Sequence, residues 1–176
     1  MRPMVAGLIL IAGCGQRPLD TGAEHPFGGP SPWPGIRTER IARLLPAAMI
    51  AGDVDAWVVM VRENANDPLA LHVGGENAGA PAAILFFRTG DRVRSVILSG
   101  FGEAIALRER GTHDSVVVYE RGPGALEEAV AARLAAAGSR RIAINSSGTS
   151  VADGLSYTQR VALEQAMGPE GSSRLV

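Results

Sequence analysis

The sequence predicts an α/β fold of three layers, a mostly parallel mixed sheet of about five to six strands with one hairpin and with helices on both faces. Three observations predict it. Short apolar runs rich in β-branched residues alternate along the chain with stretches of helical periodicity. One run, Ala56-Trp57-Val58-Val59-Met60-Val61, is continuously apolar, as strands covered on both faces are. Two further runs, 82–88 and 92–98, are separated only by Thr89-Gly90-Asp91, a short glycine-containing loop that reads as a hairpin.

Taken in order, Ile41, Leu44, Leu45, Ala48 and Met49 recur at helical spacing and predict an amphipathic helix over 36–51, with Pro46 kinking or breaking it and Gly52-Asp53 ending it. The strand over 56–61 and the hairpin follow. Residues 103–110 form a short helix closed by Gly111, and 115–119 a further strand. Pro123 opens and Gly138 stops a helix over 125–137, the usual asymmetry of helix ends. Residues 141–145 are the next strand. Ser156-Tyr157-Thr158-Gln159 has the spacing of a capping box and starts the last helix, which Gly168-Pro169 ends. Arg174-Leu175-Val176 reads as the start of another strand.

At 176 residues the chain is long enough for one domain with a substantial core. Its formal charge is -1, from 17 basic and 18 acidic residues without a basic stripe, so nucleic acid is not an expected partner. Cys14, the single cysteine, excludes an intramolecular disulfide. It follows Arg2, the apolar run from Val5 to Ile11, and Ala12-Gly13. That run is too short to span a bilayer and fits the apolar region of a signal peptide. Ile-Ala-Gly-Cys resembles the lipobox of bacterial lipoproteins, which implies lipidation of Cys14 and a place on the periplasmic side of the cell envelope. If the leader is not real, the expected place is the cytoplasm. Residues 15–35 hold Pro18, Pro26, Pro30, Pro32 and Pro34, a composition that suits an extended tether. The expected organisation is therefore a leader and lipobox over 1–14, a tether over 15–35 and a folded domain over 36–176.

The residues that usually carry catalysis are sparse. His25, His72 and His113 have no metal-ligand spacing, and no Gly-x-Ser-x-Gly elbow is present. The sequence alone thus assigns no catalytic residue and no metal. Two polar loops remain. Asn145-Ser146-Ser147-Gly148-Thr149-Ser150 follows a strand and precedes a helix, and reads either as an anion cradle or as a turn whose hydroxyls satisfy the backbone. The loop from Arg62 to Leu69 follows the first buried strand, where ligands usually meet open α/β sheets, and His72-Val73-Gly74-Gly75-Glu76-Asn77 continues it. It reads as a solvated loop or as a recognition lip in which Arg62 pairs with a carboxylate.

The segment from Trp57 to Asp67 and the segment from Asn145 to Gln159, with the order of elements between them, resemble the N-terminal domain of the creatinase, prolidase and aminopeptidase P group of metallopeptidases. The resemblance covers about residues 36–176. It implies a parent that acts on Xaa-Pro peptides through two divalent metals held in a separate C-terminal domain (creatinase itself works without metal). It implies no cofactor in this chain, which stops about where the first domain should end, so a fragment of a longer protein is expected. The N-terminal domain of such proteins builds a dimer and reaches toward a neighbouring active site. On that analogy Arg62, Asn64, Asp67 and His72 are the candidates for a substrate lip, and a second copy or the missing catalytic domain is the expected partner. The alternative is a stand-alone envelope lipoprotein that binds a peptide or protein partner.

Overall fold

Strand β1, Ala56–Val61, sits inside the sheet and organises it. In the computed structural model, which describes residues 28–62, 67–75, 79–150 and 153–176, β1 pairs antiparallel with β2, Ala82–Thr89, and parallel with β5, Ile142–Ile144. Strand β2 continues antiparallel into β3, Arg92–Ser99, which pairs parallel with β4, Ser115–Val118. The order is β4-β3-β2-β1-β5, a mixed sheet with a single reversed strand. Thr89 faces Arg92 in register, so the hairpin turn is tighter than expected. Gly90, at φ 63°, supplies the left-handed residue that such a turn needs. The chain end adds a further parallel element beside β5: the Arg174 carbonyl accepts from the Ile142 N–H at 2.9 Å, and the Val176 N–H donates to the Ile142 carbonyl at 2.9 Å.

Helices cover both faces, as expected. Alternation along β1 sends Ala56, Val58 and Met60 to one side, where they meet Leu85, Leu98, Leu126, Val130, Leu134 and Leu163. The last four come from α4, Ala125–Ala136, and α5, Tyr157–Ser172. Val59 and Val61 go to the other side, with Ile41, Met49, Ala70, Ile84, Phe86 and Ile97. That side is covered by α1, Trp33–Glu39, a π-helical turn over Arg40–Leu44, α2, Leu45–Ala51, and α3, Phe101–Arg110.

The first helical segment starts at Trp33, inside the stretch read as tether, and Pro34 stands in its first turn, where a missing N–H costs nothing. Trp33 closes over the helix, with the guanidinium carbons of Arg37 and Arg40 at 5.4 and 5.6 Å from its ring centre. Pro46 does break the helix, and the π turn is the device: one widened turn re-phases the chain so that Pro46 falls in the first turn of α2. Helix α3 ends on Gly111 in the left-handed conformation. The capping box at Ser156 is complete, with the Gln159 N–H donating to the Ser156 hydroxyl and the Ser156 N–H donating to Gln159 Oε1, each at 3.2 Å. Gly168, at φ 69° and ψ 176°, interrupts α5 as Gly168-Pro169 predicts. A 3-10 turn over Ala70–Val73 lies in the stretch whose sequence predicts only loop.

The leader, Cys14, His25 and Asn64 lie outside the described residues. Among the described residues no helix is long and apolar enough to cross a membrane.

Candidate functional site

Strands β1 and β5 run parallel, so the loops that follow them leave the sheet at the same edge. Three side chains join those loops. Trp57 belongs to β1, and its ring stacks on Phe86 at 5.2 Å between centres, leaving the indole N–H in need of a partner. It donates to Asn145 Oδ1 at 2.6 Å. The Asn145 amide in turn donates to Asp67 Oδ2. The other Asp67 oxygen accepts from the Leu69 N–H at 2.8 Å, and the Asp67 carbonyl accepts from the Ala70 N–H, which starts the 3-10 turn. Asn145 also uses its backbone: its carbonyl accepts from Gly154 at 3.0 Å and from Leu155 at 2.8 Å, anchoring the segment that leads into α5. Gly154 lies flat on the Asp67 carboxylate. A Cβ there would stand 2.3 Å from its carbon, so only glycine permits this approach.

Asp67 is therefore not displayed on a lip. Only 2% of it is exposed, and Asn145 is 6% exposed. Burial raises the Asp67 pKa, while the hydrogen bonds from Asn145 and Leu69 act to lower it. Its position is that of a strut between the loop after β1 and the loop after β5. The sequence shows Trp57 inside an apolar strand and Asn145 at the end of another, and a buried indole N–H and a buried amide each demand a partner. That demand is the signal by which the network can be found; which residues meet it depends on the fold.

The other candidates are placed separately. His72 lies in the 3-10 turn, partly exposed, and its Nδ1 accepts from Arg40 Nη1 at 2.7 Å. This contact fixes the proton on Nε2 in the neutral ring. Arg37, buried, donates through Nε to the Leu71 carbonyl at 2.9 Å, so the first helical segment clasps the 3-10 turn at two points. Arg62 stands just past the end of β1, partly buried. The loop after β5 takes the form of a turn: the Ser147 N–H donates to Asp153 Oδ1 at 3.2 Å, and the Thr149 N–H donates to the Ser147 hydroxyl at 3.0 Å. A carboxylate of the chain itself thus occupies an amide that an anion cradle would use.

His113 is a further titratable group on the side of α3. Its ring lies 6.2 Å from that of Phe86, and neither ring nitrogen completes a hydrogen bond among the described residues. Burial drives its pKa down to about 4, against the opposing pull of the Asp114 carboxylate and the Gly74 backbone. It is held neutral at physiological pH. Among the described residues there is no group of three or more His, Cys, Asp or Glu side chains placed to hold a metal ion.

No protein-family model matches this sequence, and no curated protein matches it. Solved structures do match. The N-terminal domain of cytoplasmic peptidase PepQ from Mycobacterium tuberculosis H37Rv aligns with 80% of this chain and 90% of its own, at a TM-score of 0.55 and 19% identity. An X-Pro aminopeptidase from Thermotoga maritima aligns with 75% of this chain at a TM-score of 0.53 and 15% identity. An Xaa-Pro dipeptidase from Bacillus anthracis aligns with 78% at 0.52 and 14%. The match covers 31% and 32% of those two longer chains, so this chain spans about a third of their length. The likeness is one of fold: the chain has the architecture of the N-terminal, creatinase/prolidase-like domain of Xaa-Pro peptidases.

Proposed function

We propose that this chain is the non-catalytic N-terminal domain of an Xaa-Pro peptidase-like protein, acting in dimerisation and in gating substrate toward a catalytic domain. The observation that carries the reading is the match to an isolated peptidase N-terminal domain over nine-tenths of that domain. In this reading Arg62, Asn64 and His72 form the lip that meets the peptide. Asp67 positions the lip from beneath: with Asn145 and Trp57 it fixes where the loop after β1 leaves the sheet. Metal and water activation belong to the catalytic domain of the parent. Cys14 carries the acyl anchor that holds the assembly at the membrane, which a mass spectrum of the N-terminal peptide without added acyl mass would refute.

The deciding experiment is to sequence the gene beyond the Val176 codon, express the whole open frame and assay Ala-Pro peptide hydrolysis with manganese. The expected result is a frame that continues into a metal-binding domain, metal-dependent turnover by the whole protein, and a raised KM with little change in kcat for Arg62→Ala or His72→Ala. A stop codon after Val176, or turnover by residues 1–176 alone, overturns the reading.

A further inference from the structure

At the opposite edge of the sheet from the Asp67 network, Asp53, Asp55, Arg88, Arg140 and Arg141 line a cleft of about 370 Å³. Its arginines are arranged in a particular way. Arg88 donates through Nε to the Val54 carbonyl at 2.8 Å, and Arg141 donates through Nε to the Asp53 carbonyl at 2.7 Å. Carbonyls of consecutive residues thus hold two guanidiniums by the same nitrogen. Asp53 sits at φ 50°, the left-handed conformation that Asp tolerates better than most residues, in the turn that presents those carbonyls. The Arg140 side chain makes no hydrogen bond or ion pair among the described residues.

The two carboxylates in the cleft do not cancel this charge. Asp55 spends both oxygens on backbone, accepting from the Arg140 N–H at 3.1 and 3.0 Å and from the Arg141 N–H at 3.1 Å. Asp53 reaches Arg141 at 3.4 Å, but its side chain is 83% exposed and that of Arg141 51%, so the pair is weak and easily displaced. Three cations and two anions leave a net positive cleft. One guanidinium fork suffices for a planar carboxylate, whereas three guanidiniums around one cleft suit a group with more oxygens.

We propose that this cleft is an anion site for a phosphate group, with Arg88 and Arg141 as pre-oriented donors and Arg140 as the arm that closes on the ligand. The phosphate belongs either to a soluble phosphate compound or to an anionic lipid headgroup, and the chemistry of recognition is the same for both.

The test is isothermal titration of the full chain with sodium phosphate at constant ionic strength, with chloride as the control. It is paired with sedimentation on phosphatidylglycerol and on phosphatidylcholine vesicles. The expected result is saturable phosphate binding with a Kd roughly in the millimolar range, weakened about tenfold in Arg140→Gln, a loss the size of one charge-assisted contact. Arg140 is exposed and supports no other residue through its side chain, and an unchanged circular dichroism spectrum confirms that the variant is folded. Retention on phosphatidylglycerol vesicles that is displaced by inorganic phosphate and lost in Arg140→Gln assigns the site to a lipid headgroup. Phosphate binding without such retention assigns it to a soluble phosphate. Absence of saturable binding in both assays, or binding that Arg140→Gln leaves unchanged, overturns the proposal.

Discussion

The two faces of the sheet are built by different chemistry. On the α4 and α5 face the core is an apolar cluster, and Leu126, Val130, Leu134 and Leu163 project into it from two α-helices. On the opposite face the cover is pieced together from α1, the π turn, α2, the 3-10 turn and α3. There Arg37 and Arg40 bond to the 3-10 turn, and His113 is kept neutral by its surroundings. The first face is held by area removed from water, which has no preferred direction. The second adds directional bonds and a group whose charge depends on pH. It is also the side of the sheet that carries Trp57 toward the Asp67 network. The regular face supplies stability, while the directional bonds of the irregular face hold the 3-10 turn and the segments around it in place.

The apolar face should show the largest loss of stability on a single substitution. Leu163→Ala empties a fully buried position and should cost about 3 kcal/mol in urea unfolding, with little dependence on pH between 4 and 7 beyond that of the unaltered protein. A loss below about 1 kcal/mol would mean that α5 is not integral to the core.

On the irregular face the large effect is one of pH. The folded pKa of His113 lies near 4 and its unfolded value near 6.5, so between these the unfolded chain binds the proton and the folded chain does not. Stability therefore falls as pH drops from about 6.5 toward 4, by up to about 3 kcal/mol. His113→Leu should flatten that slope in denaturation curves measured across the range. Asp67 works in the opposite sense: its raised pKa means that its protonation favours the folded state as pH falls, so Asp67→Asn should steepen the acid loss.

Smaller effects sharpen the view of the network. Gly154→Ala pushes a methyl into the Asp67 carboxylate and should cost about 2 kcal/mol, recovered in part when Asp67→Ala is added, a coupling that a double-mutant cycle reads directly. Ser156→Ala removes the capping box and should cost about 1 kcal/mol, equally with or without the Asp67 substitution.

Legibility in the sequence follows the same division. The β1 run, the hairpin, α4 between Pro123 and Gly138 and the capping box of α5 are all readable, because each depends on side chains close together in the chain. The π turn was only half readable: Pro46 announced a break, but whether the chain bends, ends or re-phases depends on what Ile41 and Met49 must cover. The 3-10 turn was not readable, because its bonds to Arg37 and Arg40 span more than thirty residues. Of the site candidates, Arg62 stands just past the end of β1 and His72 lies within the 3-10 turn, whereas Asp67 turns inward because a glycine far along the chain leaves room for it.

The alternation of strands and helices, the two-sided burial of the sheet and most helix ends are local properties of the chain. Periodicity, capping and turn chemistry act over a few residues and are written in order along the chain. Folding in three dimensions is what brings Trp57, Asp67, Asn145 and Gly154 together at one end of the sheet, and Arg88, Arg140 and Arg141 around one cleft at the other. Both groupings arise from pairing β1 with its neighbours in a given order and register, and that pairing is set by the burial of whole faces, not by any single stretch of sequence.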